Sequence, residues 1–220
     1  MFRIKICGIT RADDALAAAM AGADAIGLNF DPQSVRFVNP QQARQIAAAV
    51  PAGVVRVGVF VNAPADEIIE TFDRTPLDVI QLHGDEPPEL LGQFVGRPIV
   101  RVFRVGSGGL GTALTYLDRC RQLGVVPHMV LADAAARHFY GGTGELADWT
   151  ILSGYPAAAW HPPLILAGGL TPANVAASIR TVRPAGVDTA SGVESSPGVK
   201  DAALIRQFVE AARKALAPLG

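Results

Sequence analysis

Cysteine is scarce in this chain of 220 residues, which has only Cys7 and Cys120. Two cysteines this far apart build neither a disulfide framework nor a CxxC metal knuckle, and their scarcity suits a reducing compartment. Lysine is limited to Lys5, Lys200 and Lys214, and the arginines are scattered rather than clustered. Nineteen basic against twenty acidic side chains leave a formal net charge of −1. The basic stripe that a nucleic-acid surface requires is therefore missing. Long apolar runs are missing too, since none approaches the ~18 residues of a membrane span. At the start, Arg3 and Lys5 alternate with apolar residues and no signal-peptide core follows; the later stretch DDALAAAMAGA carries Asp13 and Asp14. A cytoplasmic protein with neither a membrane nor a nucleic-acid partner is expected.

What the chain does have is apolar residues, at 50% of the total. That is ample for a sizeable core and the opposite of a disordered composition. Short β-branched runs recur along it: RIKIC (3–7), AIGLNF (25–30), VVRVGVFV (54–61), DVIQL (78–82), PIVRVFRV (98–105), HMVLA (128–132), PLILA (163–167) and GVDTA (186–190). Between them lie Ala- and Leu-rich stretches with helical spacing. Start signals precede several of these: Asn39-Pro40, Asn62 with Pro64, and Thr171-Pro172. A last helix over about 200–217 places Leu204, Ile205, Phe208, Val209 and Ala212 on one face. Strands alternating with helices imply a parallel sheet of βα units. Eight such units, in a chain somewhat shorter than the ~250 residues typical of the fold, predict a single-domain (β/α)8 TIM barrel over residues 1–220.

In such a barrel the chemistry sits at the carboxyl ends of the strands. There this sequence places Cys7, Arg36 in the loop after the second strand, His83 with Gly84, Asp133, Gly168 with Gly169, and Asp188. Taken singly, each has a plain structural use: a compact buried thiol, a solvated loop charge, a hydrogen-bonded histidine, aspartates capping turns. Taken together they gather reactive groups at one mouth. The stretches LAGGLTPANV and TASGVESS add exposed backbone N–H groups after strands seven and eight, where Gly168, Gly169, Ser191 and Gly192 form an anion site without needing side-chain charge. A phosphorylated small molecule is the expected ligand.

KICGIT, the S-x-R-x-V piece of SVRFV, VGVFVN, QLHGDE, GGTG…DW, LAGGLTPANV and GVDTASGVE…PGVKD follow one another from residue 5 to 201. This series resembles the phosphoribosylanthranilate isomerases of tryptophan biosynthesis. The resemblance implies an Amadori rearrangement of N-(5-phosphoribosyl)anthranilate to 1-(2-carboxyphenylamino)-1-deoxyribulose 5-phosphate. It also implies Cys7 as general base, Asp133 as general acid and Arg36 on the anthranilate carboxylate. The loops at Gly168-Gly169 and Ser191-Gly192 would hold the phosphate, with His83 and Asp188 near the sugar. Opening an aminofuranose and moving a proton from the neighbouring carbon needs one acid and one base, and neither metal nor redox cofactor. Lys5, two residues before Cys7, shares its inward direction along the strand and favours a thiolate there. A monomer or a homodimer is compatible with this reading.

Departures from the family pattern are Val35 for proline and Phe37 for tyrosine beside Arg36, which loosen that loop. Ala190 stands for serine, and Ala147 for phenylalanine. A rival reading lies in the same sequence. Gly106, Gly108 and Gly111 spell GxGxxG between a strand and a helix, with Asp133 beyond, the pattern of an NAD-binding oxidoreductase. A second rival is a metal-dependent pentose-phosphate epimerase drawing on His83, Asp133 and Asp188, although a full ligand set is not evident.

Overall fold

Eight short strands pair in chain order and close on themselves. They are β1 (Ile4–Ile6), β2 (Ala25–Asn29), β3 (Val55–Phe60), β4 (Val79–Leu82), β5 (Ile99–Arg104), β6 (Met129–Asp133), β7 (Leu164–Ala167) and β8 (Gly186–Thr189). Every neighbouring pair is parallel, and β8 returns to β1 through Ile4↔Val187, Lys5↔Asp188 and Ile6↔Thr189. This is the expected (β/α)8 barrel. The computed structural model describes residues 1–106, 109–134, 149–156 and 158–217.

Strand alternation sorts the apolar residues into two layers. Val100, Val102, Met129, Leu131 and Ile165 fill the barrel interior, while Ile99, Phe103, Val130 and Leu164 face the helices. By the same alternation Lys5 and Asp188 point inward, between outward-facing Ile4, Ile6 and Val187. A lysine at an interior position is an exception to the apolar filling of such barrels, and it marks the strand end above it.

The helices are α1 (Ala12–Ala21), α2 (Pro40–Ala49), α3 (Ala65–Arg74), α4 (Gly111–Gln122), α5 (Val175–Val182) and α6 (Ala202–Leu216). None of the described helices is long and apolar enough to cross a membrane. α2 starts where Asn39-Pro40 predicts, with a reciprocal capping box between Asn39 and Gln42. Asp201 caps α6 by accepting from the Ala203 and Leu204 N–H groups at 2.8 and 3.0 Å. The predicted face of α6 is buried through Ile205, Phe208, Val209 and Ala212. α5 begins at Val175, later than Thr171-Pro172 suggests. Asn174 is occupied in tying down the loop after β7, accepting from Thr171 N at 2.7 Å and donating to Gly169 O at 2.9 Å.

Among the described residues three features depart from simple βα alternation, one of them a 3-10 helix, Trp149–Gly154, between β6 and β7. Between β4 and β5 the chain forms a 3-10 helix, Pro88–Gln93, instead of an α-helix. Adjacent Pro87 and Pro88 and the low propensity of Gly92 leave no room for more turns. After β8 the chain folds into a small antiparallel hairpin, β9 (Glu194–Ser196) with β10 (Val199–Lys200), which the periodicity does not announce.

Candidate active site

A cavity of about 810 Å³ opens at the carboxyl ends of the strands. Cys7, Arg36, His83 and Asp133 line it, together with Gly168, Gly169, Asp188 and Ser191, all of them sequence-predicted. Gly192 is not among the lining residues. A Cβ there would run into the carbonyl oxygen of Leu170, to which Thr189 Oγ1 also donates at 2.7 Å. Gly192 thus lets the loops after β7 and β8 touch, which brings the Gly168-Gly169 and Ser191 backbones side by side. Gly168 and Gly169 both have positive φ, 91° and 65°, a pair of left-handed residues that glycine adopts at little cost.

Cys7 directly follows β1, and its N–H donates to Thr189 O at 2.8 Å. Beneath it the fully buried Lys5 Nζ donates to both Asp188 oxygens, at 3.0 and 3.1 Å, and also meets the Cys7 side chain. Sulfur and ammonium lie together over Gly27 of β2, where a Cβ would come within 2.7 Å of Cys7 Sγ and 3.0 Å of Lys5 Nζ. Burial pushes the Lys5 pKa down, but Asp188 and then Cys7 outweigh it and hold the ammonium above its ordinary value. Burial pushes the Asp188 carboxyl up; Lys5 counters this only in part, and Asp133 adds to the upward push.

Arg36 crosses from the loop after β2. Its stem lies over Gly8, so that a Cβ at Gly8 would collide with Arg36 Cδ. Its Nε and Nη2 donate to the two Glu194 oxygens, each at 2.7 Å. Glu194 Oε1 also accepts from Lys200 Nζ at 2.8 Å, and Lys200 donates to Ala190 O at 2.9 Å. Burial pushes the Glu194 carboxyl up, but Arg36 and Lys200 prevail and keep it below the usual carboxylate range. Lys5, Arg36 and Lys200 all interact electrostatically with Cys7, so three basic side chains stand around the sulfur. Despite Val35 and Phe37, the Arg36 loop is tied at both ends. Asn29 Nδ2 donates to Ser34 Oγ at 3.0 Å, Arg36 N donates to the same hydroxyl at 3.1 Å, and Val38 N returns to Asn29 O at 2.8 Å.

His83 follows β4, and its N–H donates to Phe60 O at 2.9 Å. Burial holds its imidazole below the ordinary pKa, with Lys5 and Arg104 pushing the same way against Asp133 and Glu86, so it is neutral at pH 7. The turn beyond it is fastened by Glu86 Oε1, which accepts from Gly84 N at 3.0 Å and Asn62 N at 2.9 Å. Asp133 closes β6, three strands round the rim from Cys7. It interacts electrostatically with both His83 and Asp188.

The closed barrel corrects the dinucleotide reading. Strands in chain order have no reversal of order at which a dinucleotide would lie. Gly106 serves a turn, its carbonyl accepting from Gly109 N at 3.0 Å, and Gly111 opens α4; Gly108 lies outside the described residues. An epimerase-type ligand set on His83, Asp133 and Asp188 meets a different obstacle, because both Asp188 oxygens already face the Lys5 ammonium. Of the GGTG…DW motif, residues 141–148 lie outside the described residues, Ala147 among them. Sequence reasoning missed Gly27, Glu194 and Lys200. A glycine inside a β-branched strand run is a signal of close approach that was available. Glu194 and Lys200 gave no local signal beyond lying within quoted motifs.

Comparison with known proteins sharpens this. Residues 4–211 match the family model described as N-(5'phosphoribosyl)anthranilate (PRA) isomerase. An N-(5'-phosphoribosyl)anthranilate isomerase of Geobacter sulfurreducens is 46% identical over 213 residues, covering 97% of this chain and 99% of that protein. The crystal structure of phosphoribosyl anthranilate isomerase from Thermotoga maritima superposes with a TM-score of 0.85 at 38% identity, covering 97% of this chain and 100% of that one. A phosphoribosyl anthranilate isomerase in complex with reduced 1-(o-carboxyphenylamino)-1-deoxyribulose 5-phosphate does so at 0.81 and 36% identity, with the same coverage. With a match that runs from β1 into α6 and relatives alike over nearly their whole length, the chain belongs to the phosphoribosylanthranilate isomerase family.

Proposed function

We propose that Cys7 and Asp133 are the base and the acid with which this chain carries out its family's reaction. That reaction is the Amadori rearrangement of N-(5'-phosphoribosyl)anthranilate to 1-(2-carboxyphenylamino)-1-deoxyribulose 5-phosphate in tryptophan biosynthesis. The observation that carries the assignment is the buried Lys5 ammonium against the Cys7 side chain, with Asp133 across the same cavity. Asp133, protonated, gives its proton to the ring oxygen as the bond to the anomeric carbon breaks. The nitrogen lone pair supplies the electrons, which leaves a cationic Schiff base. The Cys7 thiolate then takes the proton from the neighbouring carbon. The electron pair of that C–H bond neutralises the iminium and yields an enolamine, which tautomerises to the ketone. No atom is gained or lost, so the step is an isomerisation.

Three basic side chains, Lys5, Arg36 and Lys200, stand around the sulfur that takes the proton. The charge-assisted fork of Arg36 suits the anthranilate carboxylate. The loops at Gly168-Gly169 and Ser191-Gly192 offer backbone N–H groups to the phosphate, and neutral His83 and Asp188 stand near the sugar. A base that must remain a free thiol suits a reducing cytoplasm.

Loss of substrate fluorescence on mixing with phosphoribosylanthranilate, equal with and without chelator, is the direct assay. Cys7→Ser is expected to fold and lose at least ~10²-fold in turnover, and Asp133→Asn ~10²–10⁴-fold while still binding the reduced product analogue. A folded Asp133→Asn enzyme with near-native turnover removes Asp133 from the reaction.

A further inference from the structure

Glu194 lines the cavity, yet it has no part in the proton transfers. It meets Arg36 side-on: Nε and Nη2 face its two oxygens at 2.7 Å each. A guanidinium has a second edge, the pair of N–H bonds on Nη1 and the far side of Nη2, that binds another carboxylate just as well. Among the described residues nothing hydrogen-bonds Nη1. The stem is meanwhile held across Gly8, so Arg36 is fixed from below and from one side.

Charge points the same way. Left alone, Glu194 would cancel Arg36 and leave nothing to attract an anion. Lys200 Nζ, fully buried, sits 2.8 Å from the same carboxylate and is anchored to Ala190 O at 2.9 Å. The Glu194 side chain is only 5% exposed against 23% for Arg36, so Arg36 is the more open of the two members that line the cavity. Two cations and one carboxylate leave one net positive charge, presented through Arg36.

We infer that Glu194, neutralised by Lys200, is a positioning residue that turns the open edge of Arg36 into the cavity and makes the site selective for a ligand bearing a ring carboxylate. This rests on the reading of Arg36 as the carboxylate site. Glu194 does not compete with the ligand; the two carboxylates occupy different edges of one guanidinium.

Calorimetry with two probes tests this. One is the reduced product analogue, and the other is the same molecule without its ring carboxyl. Glu194→Gln is expected to weaken the carboxylated probe about tenfold or more and to leave the other within about twofold. Lys200→Met should act in the same direction, because Glu194 then cancels Arg36. It serves as a second test should E194Q fold poorly by thermal melting. Tighter binding of the carboxylated probe to E194Q would make Glu194 a competitor and overturn the inference. Equal weakening of both probes would reduce it to a structural role and overturn it as well. Arg36→Met separates the two levels: if it weakens both probes alike, the carboxylate reading of Arg36 itself fails, whatever E194Q does.

Discussion

Each face of the barrel sheet buries a cation next to a carboxylate. On the inner face, Lys5 of β1 meets Asp188 of β8; on the outer face, Arg101 of β5 meets Glu86 in the turn after β4, at 3.2 Å. Their surroundings differ. Arg101 donates to the carbonyls of Leu82, Val102 and Gly84 and lies over the rings of Phe103 and Tyr116 at 5.2 and 5.0 Å. Glu86 spends its other oxygen on the Asn62 and Gly84 N–H groups. The outer pair is fastened to backbone groups and aromatic rings, with Arg101 Nε and Glu86 Oε2 left without hydrogen-bond partners among the described residues, which marks it as architecture. Lys5 has Asp188 and Cys7 for company, and among the described residues no backbone group accepts from it. The inner pair is directed at a reactive side chain and at the cavity. A buried charge that fastens chain segments and one proposed to support a reaction are thus told apart by what else each touches.

The largest expected effect comes from the outer pair. Replacing it by apolar residues, Arg101→Met with Glu86→Leu, strands the Asn62 and Gly84 N–H groups and the carbonyls that Arg101 served. At ~1–3 kcal/mol for each buried group left unpaired, a loss of about 3–5 kcal/mol in unfolding free energy is expected. For a chain of this size that is a drop of roughly 10 °C in melting temperature. An unchanged melting temperature would break the comparison. The inner pair should respond in the opposite sense. Lys5→Met with Asp188→Leu removes two buried charges whose backbone obligations are few, so stability is expected to hold or rise. Turnover in the fluorescence assay should fall by ~10²-fold, about 2.7 kcal/mol of barrier. Near-native turnover in that variant would remove Lys5 from the support of Cys7.

A third pair marks the lower bound. Arg56 and Asp78 meet near the amino-terminal rim, at 2.8 and 2.9 Å, half exposed. Burial pushes the Asp78 carboxyl up, but hydrogen bonds from the Arg56 side chain and backbone prevail and hold it below its ordinary value. A depressed carboxyl contributes stability that is present above its unfolded pKa of ~4 and lost as pH falls through the folded one. Discounted for solvent, this amounts to less than ~1 kcal/mol. Asp78→Asn should flatten the acid side of the stability–pH curve by that amount and leave turnover untouched.

Much of the fold was legible because eight β-branched runs separated by helical stretches admit few arrangements. The segment after β4 was not, since a 3-10 helix is chosen by Pro87, Pro88 and Gly92 against the average pattern. In the proposed site Cys7, Arg36, His83, Asp133 and Asp188 were legible because a barrel directs attention to strand ends. Glu194 and Lys200 were not. Their partner Arg36 lies some 160 residues away in the chain, and the hairpin that carries them has no periodic signature.

The order of strands, the faces they bury and the reactive side chains at one mouth were determined by the sequence alone. Hydrophobic alternation and strand-end placement are local properties of a chain. Tertiary structure decided which charges meet. Only closure of β8 on β1 sets Lys5 against Asp188, and only the fold-back of β9 and β10 sets Glu194 and Lys200 against Arg36. Such meetings depend on distance in space, and electrostatic energy falls with that distance whatever the separation along the chain.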